Sequence, residues 1–505
     1  MRHTGLLSAL GFVLLIATGV VVILGLSAPT AGNIRLQSVK AISKQQAPAE
    51  PLTYTLYMPV IAHQLPPDTI AGVEMAPISN PGGLGRMVQA GATWVRRAAV
   101  WWPDVQSTES AYTWSALSSM ETEFANAAAQ NVQVILVVRG APSWAQKYKP
   151  WACGPIAQDK LIAFGDFMAA LVTRYSQPPY NVKYYELGNE EDVDRALLAS
   201  SYNSTFGCWG DNTDAYYGGG YYAEMLKAVY PRVKLVDSSA QVIVGGLLLD
   251  CDPTTPLPVN SCAKVGNNAK PARFLEGILQ NSGGPYFDGI AFHAYDWYTG
   301  ALGGYYNPNF HSDSETTGPA SIAKAAFLNG VLSAYGVTGK YLMNTESALL
   351  AGSDTYDPTY EQTKAYYIAH LYSAAHAINL RSNIWYRVFG WPGKGTALLN
   401  TDLTARPAYT AFQTVTSALG GASFKGMVTS ADVGGSAKVL GYKFERSNQN
   451  IWVVWSADAK PYTLQLSQTP VSILDVLGKP VSLTNTTSVA LVGPDKLLVY
   501  LEWPR

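Results

Sequence analysis

Charged residues are scarce in this 505-residue sequence, in which Asp, Glu, Lys and Arg together make up 14%. The formal net charge is only −1. Nucleic acids and anionic membranes attract strongly basic surfaces, so this balance gives no reason to expect a nucleic-acid partner. Hydrophobic residues make up 48% and can form a large core. The length favours one large domain with a smaller one beside it.

Cysteine is rare as well, with Cys153, Cys208, Cys251 and Cys262 the only four. They form no CxxC pair and lie near no histidine cluster, which argues against a metal site. The cysteines therefore predict no metal, and the sequence as a whole implies no organic cofactor. Disulfides are the better interpretation, although four cysteines allow three pairings and sequence alone cannot choose among them. We favour 251–262, which encloses a proline-rich loop, together with 153–208.

Charge is absent from the chain between His3 and Arg35. The apolar part, residues 6–26, is long enough to cross a bilayer as a helix. We interpret residues 1–32 as a secretory signal peptide or an uncleaved signal anchor. Residues 33–66 follow as a flexible linker rich in Ala, Pro, Ser and Gln. Both interpretations export the chain, to the extracellular space or to the cell surface with membrane anchoring through 6–26.

Short β-branched runs then alternate with helical periods over residues 67–420. A (β/α)₈ TIM barrel is the fold that eight such strand–helix units favour. A doubly wound sheet is the alternative, but it usually has fewer strands, and no Gly-rich phosphate turn follows the first strand. Residues 421–505 alternate apolar and polar residues and predict a small β-sandwich. The candidate strands are 70–76, 93–99, 132–138, 182–188, 241–246, 288–293, 340–346 and 383–389.

Two glutamates stand where candidate barrel strands end. Glu190 follows the fourth strand in the sequence GNE, and Glu346 ends the seventh in NTE. The active site of a TIM barrel lies at the carboxyl ends of its strands, so these side chains should face each other across the barrel mouth. Glycoside hydrolysis needs such a pair, because one carboxyl protonates the leaving oxygen while the other attacks the anomeric carbon.

The ordered GNE (188–190) and NTE (344–346) motifs, with RAAVWWPDVQSTESAYTW after the second strand, resemble glycoside hydrolase clan A. That clan contains retaining (β/α)₈ glycosidases, including cellulase-like and β-xylosidase-like families. The resemblance covers roughly residues 70–420. It implies that Glu190 is the acid/base and Glu346 the nucleophile of a double displacement on a poly- or oligosaccharide.

The resemblance also implies two polar partners for these glutamates. Asn189 would bond the sugar 2-hydroxyl, a contact that strengthens in the transition state. Arg97 matches the clan's arginine on strand two and would hold Glu346 ionised. Arg96 has the opposite parity along the strand, so we expect it outside the barrel, paired or solvated.

Further candidates would line the sugar subsites. In the families that the chain resembles, a histidine and a tyrosine on strand six do so, which places His293 and Tyr295 in the cleft and the tyrosine hydroxyl on the nucleophile. A satisfied core histidine is the alternative for His293. Trp144, Trp297 and Trp391 are candidates for stacking on sugar rings.

The acids around Glu190 have less prominent roles in this interpretation. Glu186 shares its parity and is expected to be a buried acid paired with a basic residue. Glu191 and Asp192 are expected to be supporting residues or solvated, because a shift of one residue turns a strand side chain to the other face.

Two other functions remain open. The chain could be a catalytically inactive carbohydrate-binding barrel at the cell surface. It could also be an envelope protein for which the barrel is only a scaffold, because a fold does not determine a function. The paired carboxylates favour the enzyme, since a binder needs no such pair. No protein partner is implied.

Overall fold

The computed structural model describes residues 69–194, 198, 204–253, 269–310 and 312–505. The predicted export segment and linker lie outside these residues, as does Cys262. The pairing of Cys251 with Cys262 therefore stays a prediction. The other predicted disulfide, Cys153–Cys208, is confirmed, with Cα atoms 5.4 Å apart. No helix of the described ranges is long and apolar enough to cross a membrane.

Eight parallel strands close into a barrel, which confirms the predicted fold. Neighbouring strands pair in chain order, and pairing of β5 with β6 and of β10 with β1 completes the ring. Strands β7 and β8 extend β6 as a short antiparallel addition. The barrel strands are β1 Ala71–Glu74, β2 Trp94–Trp101, β3 Gln133–Arg139, β4 Tyr184–Asn189, β5 Gln241–Leu247, β6 Gly289–Tyr298, β9 Tyr341–Leu350 and β10 Asn383–Trp385; the additions are β7 Tyr305–Asn307 and β8 Ser312–Asp313.

Helices follow the strands and cover the outside of the barrel. Asp357 caps the longest one, accepting a hydrogen bond from the Thr359 N–H, and Pro358 supplies the fixed φ of a first helical turn. The helices are α1 Leu84–Gln89, α2 Trp102–Val105, α3 Ser118–Ala129, α4 Leu161–Tyr175, α5 Gly219–Val236, α6 Phe274–Gln280, α7 Ala320–Ala334, α8 Pro358–Ala377 and α9 Pro407–Leu419.

The C-terminal part is all β, as predicted, with a five-stranded antiparallel sheet facing a two-stranded one. Apolar residues of both sheets share one core, which makes the arrangement a sandwich. It packs on α8, where the His370 ring lies 4.2 Å from the Trp455 ring centroid. The strands are β11 Ser423–Val428, β12 Val439–Arg446, β13 Gln449–Ser456, β14 Tyr462–Gln465, β15 Ser472–Asp475, β16 Ser488–Leu491 and β17 Leu498–Pro504.

An apolar layer fills the interior of the barrel. Nearly every strand contributes one side chain to it, and β1 contributes Gly72, where a Cβ would lie 2.6 Å from the Cβ of Trp94. Side chains along a strand alternate between its faces, so residues two positions further on point into the barrel one layer higher. The layer consists of Trp94, Ile135, Tyr184, Ile243, Ala291, Met343 and Ile384.

Candidate active site

A polar layer lies above the apolar one, on the side of the carboxyl ends of the strands. Glu74, Arg96, Glu186 and His293 each follow an interior position by two residues, so alternation points them inward. All four are buried. Buried charges are costly unless they are paired, so the contacts within this layer decide what it can do.

Arg96 is the centre of this layer. Its Nη2 donates to Glu186 Oε1 and to Asn189 Oδ1, both at 2.7 Å, and its Nε donates to Glu186 Oε2 at 3.2 Å. Its Nη1 donates to Glu74 Oε2 at 2.9 Å and also to Glu346 Oε1. One guanidinium therefore joins side chains from strands β1, β4 and β9.

The assignment of Arg97 to the cleft is wrong. Its side chain lies on the outer face of β2, where Nε and Nη2 donate to Glu123 of α3 at 2.7 and 3.0 Å. The reason is the interior position of Trp94, which fixes the parity of the strand and turns Arg96 inward. The expected pairing of Glu186 with a basic residue is confirmed, and its partner is Arg96.

Glu346 is held at both of its carboxylate oxygens. Arg96 donates to Oε1, and the Tyr295 hydroxyl donates to Oε2 at 2.5 Å. Strict alternation from Met343 would turn Glu346 away from the barrel. An irregularity in the pairing of β6 with β9, between Phe292 and His293, shifts the register and brings it back inward.

Glu190 follows β4 with a φ of 57° and reaches the same space. Its Oε1 lies 2.7 Å from His293 Nδ1, which is also 3.5 Å from Glu346 Oε2. Glu190, His293 and Glu346 each offer one oxygen or nitrogen atom that could bind a metal, and these three atoms lie within 4.8 Å of one another. The two predicted catalytic carboxylates thus approach each other closely at the barrel mouth.

Burial sets the protonation of this group. It raises the pKa of Glu190 to about 7, although Arg96 opposes the shift. It lowers the pKa of His293 to about 4, so the ring is neutral at pH 7. The ring atom Nε2 has no partner among the described residues. The proton of the neutral ring therefore belongs on Nδ1, which donates it to Glu190 in the one hydrogen bond that the ring makes.

A three-ligand metal site is the other chemistry open to Glu190, His293 and Glu346. Both oxygens of Glu346 already accept hydrogen bonds, one of them from a cation, Arg96. A divalent ion there would face the guanidinium at close range. The expectation that no metal is needed stays a prediction.

Glu191 and Asp192 are not solvated, contrary to one of the two expectations for them. They are 2% and 1% exposed. Asp192 accepts hydrogen bonds from the N–H groups of Leu248 and Leu249 at 2.7 and 2.9 Å, which fastens the end of β5. Burial raises the pKa of Glu191 to about 8 and that of Asp192 to about 7.

The predicted aromatic residues take different positions. The Trp391 ring lies 5.8 Å from that of Tyr295 and 5.4 Å from that of Tyr386, beside Glu346. Trp297 follows Tyr295 by two residues on β6 and shares its face. Trp144 instead packs edge-on against Trp102 and donates to the Gln106 carbonyl at 3.1 Å. No contact between described residues joins it to the carboxylates.

Besides Arg96, sequence reasoning missed two members of the site. Glu74 ends β1, shares Arg96 with Glu346, and has a pKa that burial and the neighbouring Glu346 raise to about 7. Lys324 of α7 is buried and donates to the His293 carbonyl at 2.8 Å. Glu74 could have been found from its place at the end of the first strand. Lys324 lies in an ordinary helical pattern that carries no such signal.

A cavity of about 270 Å³ opens beside this layer. Its lining includes Glu74 and Ser79 together with Arg387 and Phe389, which follow β10. The lining thus combines polar groups with an aromatic ring, and Glu74 connects it to Glu346 through Arg96. Such an arrangement suits a ligand that has both hydroxyl groups and an apolar ring face.

The chain matches no protein-family model and no curated protein in sequence. In structure it is similar to a family 39 glycoside hydrolase from Bacteroides cellulosilyticus, with 18% identity and a TM-score of 0.61 over 86% of this chain and 80% of that one. A family 30 endoxylanase from Clostridium papyrosolvens is 12% identical, with a TM-score of 0.54 over 86% and 95%. A family 39 β-xylosidase from Caulobacter crescentus is 14% identical, with a TM-score of 0.52 over 87% and 97%.

At these identities the likeness concerns the fold. The chain has the fold of these glycoside hydrolases, and the predicted resemblance is confirmed at the level of the fold. What the barrel does depends on the side chains at its mouth.

Proposed function

We propose that the protein is a retaining glycoside hydrolase that cleaves O-glycosidic bonds of a poly- or oligosaccharide by double displacement. The observation that carries the proposal is the close pair of buried carboxylates: an oxygen of Glu190, just after β4, and an oxygen of Glu346, within β9, lie no more than 4.8 Å apart. Retaining enzymes hold their two carboxyl groups about 5–5.5 Å apart, whereas inverting enzymes leave about 6.5–9.5 Å for a water molecule.

Glu346 is the nucleophile in this proposal. Arg96 and Tyr295 fix its carboxylate by hydrogen bonds to both oxygens, which aims it and limits its movement. It attacks the anomeric carbon and forms a glycosyl ester while the bond to the leaving oxygen breaks. The guanidinium compensates the charge of the carboxylate before the attack and after its release.

Glu190 is the acid and then the base. Its raised pKa keeps a large fraction of the carboxyl protonated near neutral pH, so it can give its proton to the leaving oxygen. The resulting carboxylate then takes a proton from the water that hydrolyses the ester. Neutral His293 holds the side chain in place throughout.

Asn189 is assigned to the sugar 2-hydroxyl, as the resemblance implies. Its Oδ1 accepts from Arg96, and its Nδ2 donates to the Thr205 carbonyl at 3.2 Å, so the orientation of the amide is fixed from both ends. Trp391, Trp297 and the cavity beside Glu74 are the candidates for contacts with neighbouring sugar units.

Export belongs to the proposal as well. The apolar N-terminal segment supports it, and so does the Cys153–Cys208 disulfide, because such bonds persist in oxidising compartments. An extracellular or surface-bound enzyme would meet polysaccharides that the cell cannot take up.

The test is hydrolysis of a panel of aryl glycosides. Two of the structural neighbours are named as a β-xylosidase and an endoxylanase, so xylosides and xylo-oligosaccharides come first. Release of the aryl group by the wild type, abolished in Glu346→Ala and strongly reduced in Glu190→Gln, would support the proposal. Equal activity in the variants and the wild type would remove the catalytic assignment.

A further inference from the structure

Arg139, the last residue of β3, makes contacts that the proposed chemistry does not use. Its guanidinium lies over the Trp101 ring, 5.3 Å from the centroid. Its Nη2 donates to the carbonyls of Ser204 and Phe206, both at 2.7 Å, and its Nη1 donates to that of Thr205. One planar side chain thus holds three consecutive carbonyl groups of the segment 204–206.

This segment holds Asn189 in turn. The Thr205 carbonyl accepts from the Asn189 side-chain amide at 3.2 Å, and the Gly207 N–H donates to the Asn189 carbonyl at 2.6 Å. The Cys153–Cys208 disulfide ties the segment to the loop after β3 at its other end. The orientation of the Asn189 amide therefore depends on where 204–206 lies, and Arg139 determines that position.

Glu191 lies behind the same residues. Its Oε1 is 3.4 Å from the Asn189 N–H. Glycines make room for the carboxylate, since a Cβ at Gly207 would lie 1.8 Å from Oε2 and one at Gly188 would lie 2.4 Å from Oε1. Any side chain at Gly188 or Gly207 would therefore collide with the buried carboxyl of Glu191.

Two unused atoms face this region. Glu191 Oε2 and Arg139 Nε are buried and make no well-aligned hydrogen bond with the described residues, although the Trp209 backbone N–H lies close to the Glu191 carboxyl. Both residues line a cavity of about 20 Å³. A water molecule needs roughly 10–15 Å³ of such volume and two or more polar partners, so one water fits here.

We propose that Arg139 and Glu191, bridged by one buried water, are positioning residues that hold the 204–206 segment and thereby orient the Asn189 amide toward the substrate. The proposal rests on the proposed function, because it takes the 2-hydroxyl of the sugar as the group that Asn189 meets. Neither residue touches the reacting atoms. Their effect should therefore appear only through the contact that they orient.

The experiment pairs variants with a change in the substrate. Kinetics are measured for Arg139→Lys, Glu191→Gln and the double variant on the best aryl glycoside and on its 2-deoxy analogue. Lysine keeps the charge but cannot hold three carbonyls with one planar fork. We expect kcat/KM to fall roughly 10- to 100-fold on the parent glycoside, the usual cost of a small misplacement in an active site.

On the 2-deoxy analogue the same variants should stay within about twofold of the wild type, because the contact is already missing. Asn189→Ala should show the same selective loss. The matched control is Arg232→Lys, an arginine in an exposed pair with Asp166, which should change neither substrate. Equal losses on both substrates, or no loss on either, would overturn the proposal.

The double variant tests whether the two residues act as a unit. Its loss should equal the larger single loss, since residues in one network are not additive. Independent, additive losses would refute the pairing of Arg139 with Glu191.

A measurement without catalysis separates this proposal from the proposed function. Amide hydrogen exchange at Gly207 should be roughly tenfold faster in Arg139→Lys than in the wild type, because its bond to Asn189 opens more often. Unchanged exchange would contradict the positioning role. A wild type that hydrolyses no glycoside would refute the proposed function, and the exchange result would still decide whether Arg139 holds the segment.

Discussion

Arg96 and Glu346 are in direct contact, although 250 residues separate them in the chain. The arginine comes from β2 and the glutamate from β9, and the closed barrel brings the two strands to the same mouth. The same Nη1 also donates to Glu74, so both carboxylates depend on one cation. Removing that cation leaves buried charge without compensation.

Replacing Arg96 tests this dependence. We expect Arg96→Lys to lower kcat/KM on aryl glycosides roughly 100-fold, because lysine keeps the charge but not the fork that joins four side chains. Arg97→Lys is the matched control on the same strand and should stay within about threefold of wild type, because Arg97 pairs with Glu123 on the outer face, away from the carboxylates. Steady-state kinetics with circular dichroism melts of both variants check this. A larger effect from Arg97 would restore the assignment made from sequence.

The Tyr295 hydroxyl is the second donor to Glu346. Tyr295→Phe keeps the ring and its packing against Trp391 but removes the hydrogen bond. We expect kcat to fall roughly 10- to 100-fold, the cost of losing one aligned donor near developing charge. The melting temperature should change little. Wild-type kinetics in this variant would show that the tyrosine does not orient the nucleophile.

The pH dependence follows from the raised pKa of Glu190. The general acid must be protonated, and with a pKa of about 7 its protonated fraction falls above that pH. We therefore expect kcat/KM to decline above about pH 7 on a substrate with a poor leaving group. A dinitrophenyl glycoside, which needs little acid assistance, should depend on pH less. If kcat/KM of Glu190→Gln showed the same decline above pH 7, Glu190 would not be the group that causes it.

The same shift also makes a prediction about stability. The folded protein holds the Glu190 proton up to about pH 7, whereas the unfolded chain releases it near 4.5. The contribution to stability is therefore full below pH 4.5 and is lost as pH rises through 7. Relative to the wild type, the free energy of unfolding of Glu190→Gln should therefore rise by about 3 kcal/mol between pH 4.5 and 8. If urea unfolding gave the same difference in free energy between the variant and the wild type at every pH in this range, the raised pKa of Glu190 would be contradicted.

Asp192 supports the site through the backbone of β5. We expect Asp192→Asn to lower the free energy of unfolding by about 1–3 kcal/mol, because the amide oxygen can replace one carboxylate oxygen but not both. Denaturant unfolding at pH 4, where folded Asp192 keeps its proton, measures this loss without the cost of ionising a buried carboxyl. Asp104→Asn, on the short helix α2, is the control and should change stability little. An unchanged free energy of unfolding in Asp192→Asn would mean that its two hydrogen bonds to the backbone do not stabilise the fold.

The barrel could be predicted because its evidence is repeated along the chain. Each strand is a short apolar run and each helix a longer amphipathic one, and eight such units leave few other folds. The last strand was the least accurate, since the run 383–389 forms a strand only over Asn383–Trp385. The chain leaves the sheet there to build the loop that contains Trp391.

The carboxylate pair could be predicted from strand ends, but the choice between adjacent residues could not. Arg96 and Arg97 are chemically identical, and only the interior position of Trp94 decides between them. Glu346 faces inward through a register shift that alternation cannot foresee. Glu191 looks like a solvated loop acid until Gly188 and Gly207 are seen to make room for it.

The central claim is that Glu346 forms a covalent bond to the sugar. An activated 2-deoxy-2-fluoro glycoside of the preferred sugar slows hydrolysis of that ester, so the intermediate accumulates and can be located by peptide mass spectrometry. The account predicts a single added glycosyl group on the peptide that contains Glu346, and none in Glu346→Ala. A label on another residue, or turnover without a label and with inversion at the anomeric carbon, would contradict it.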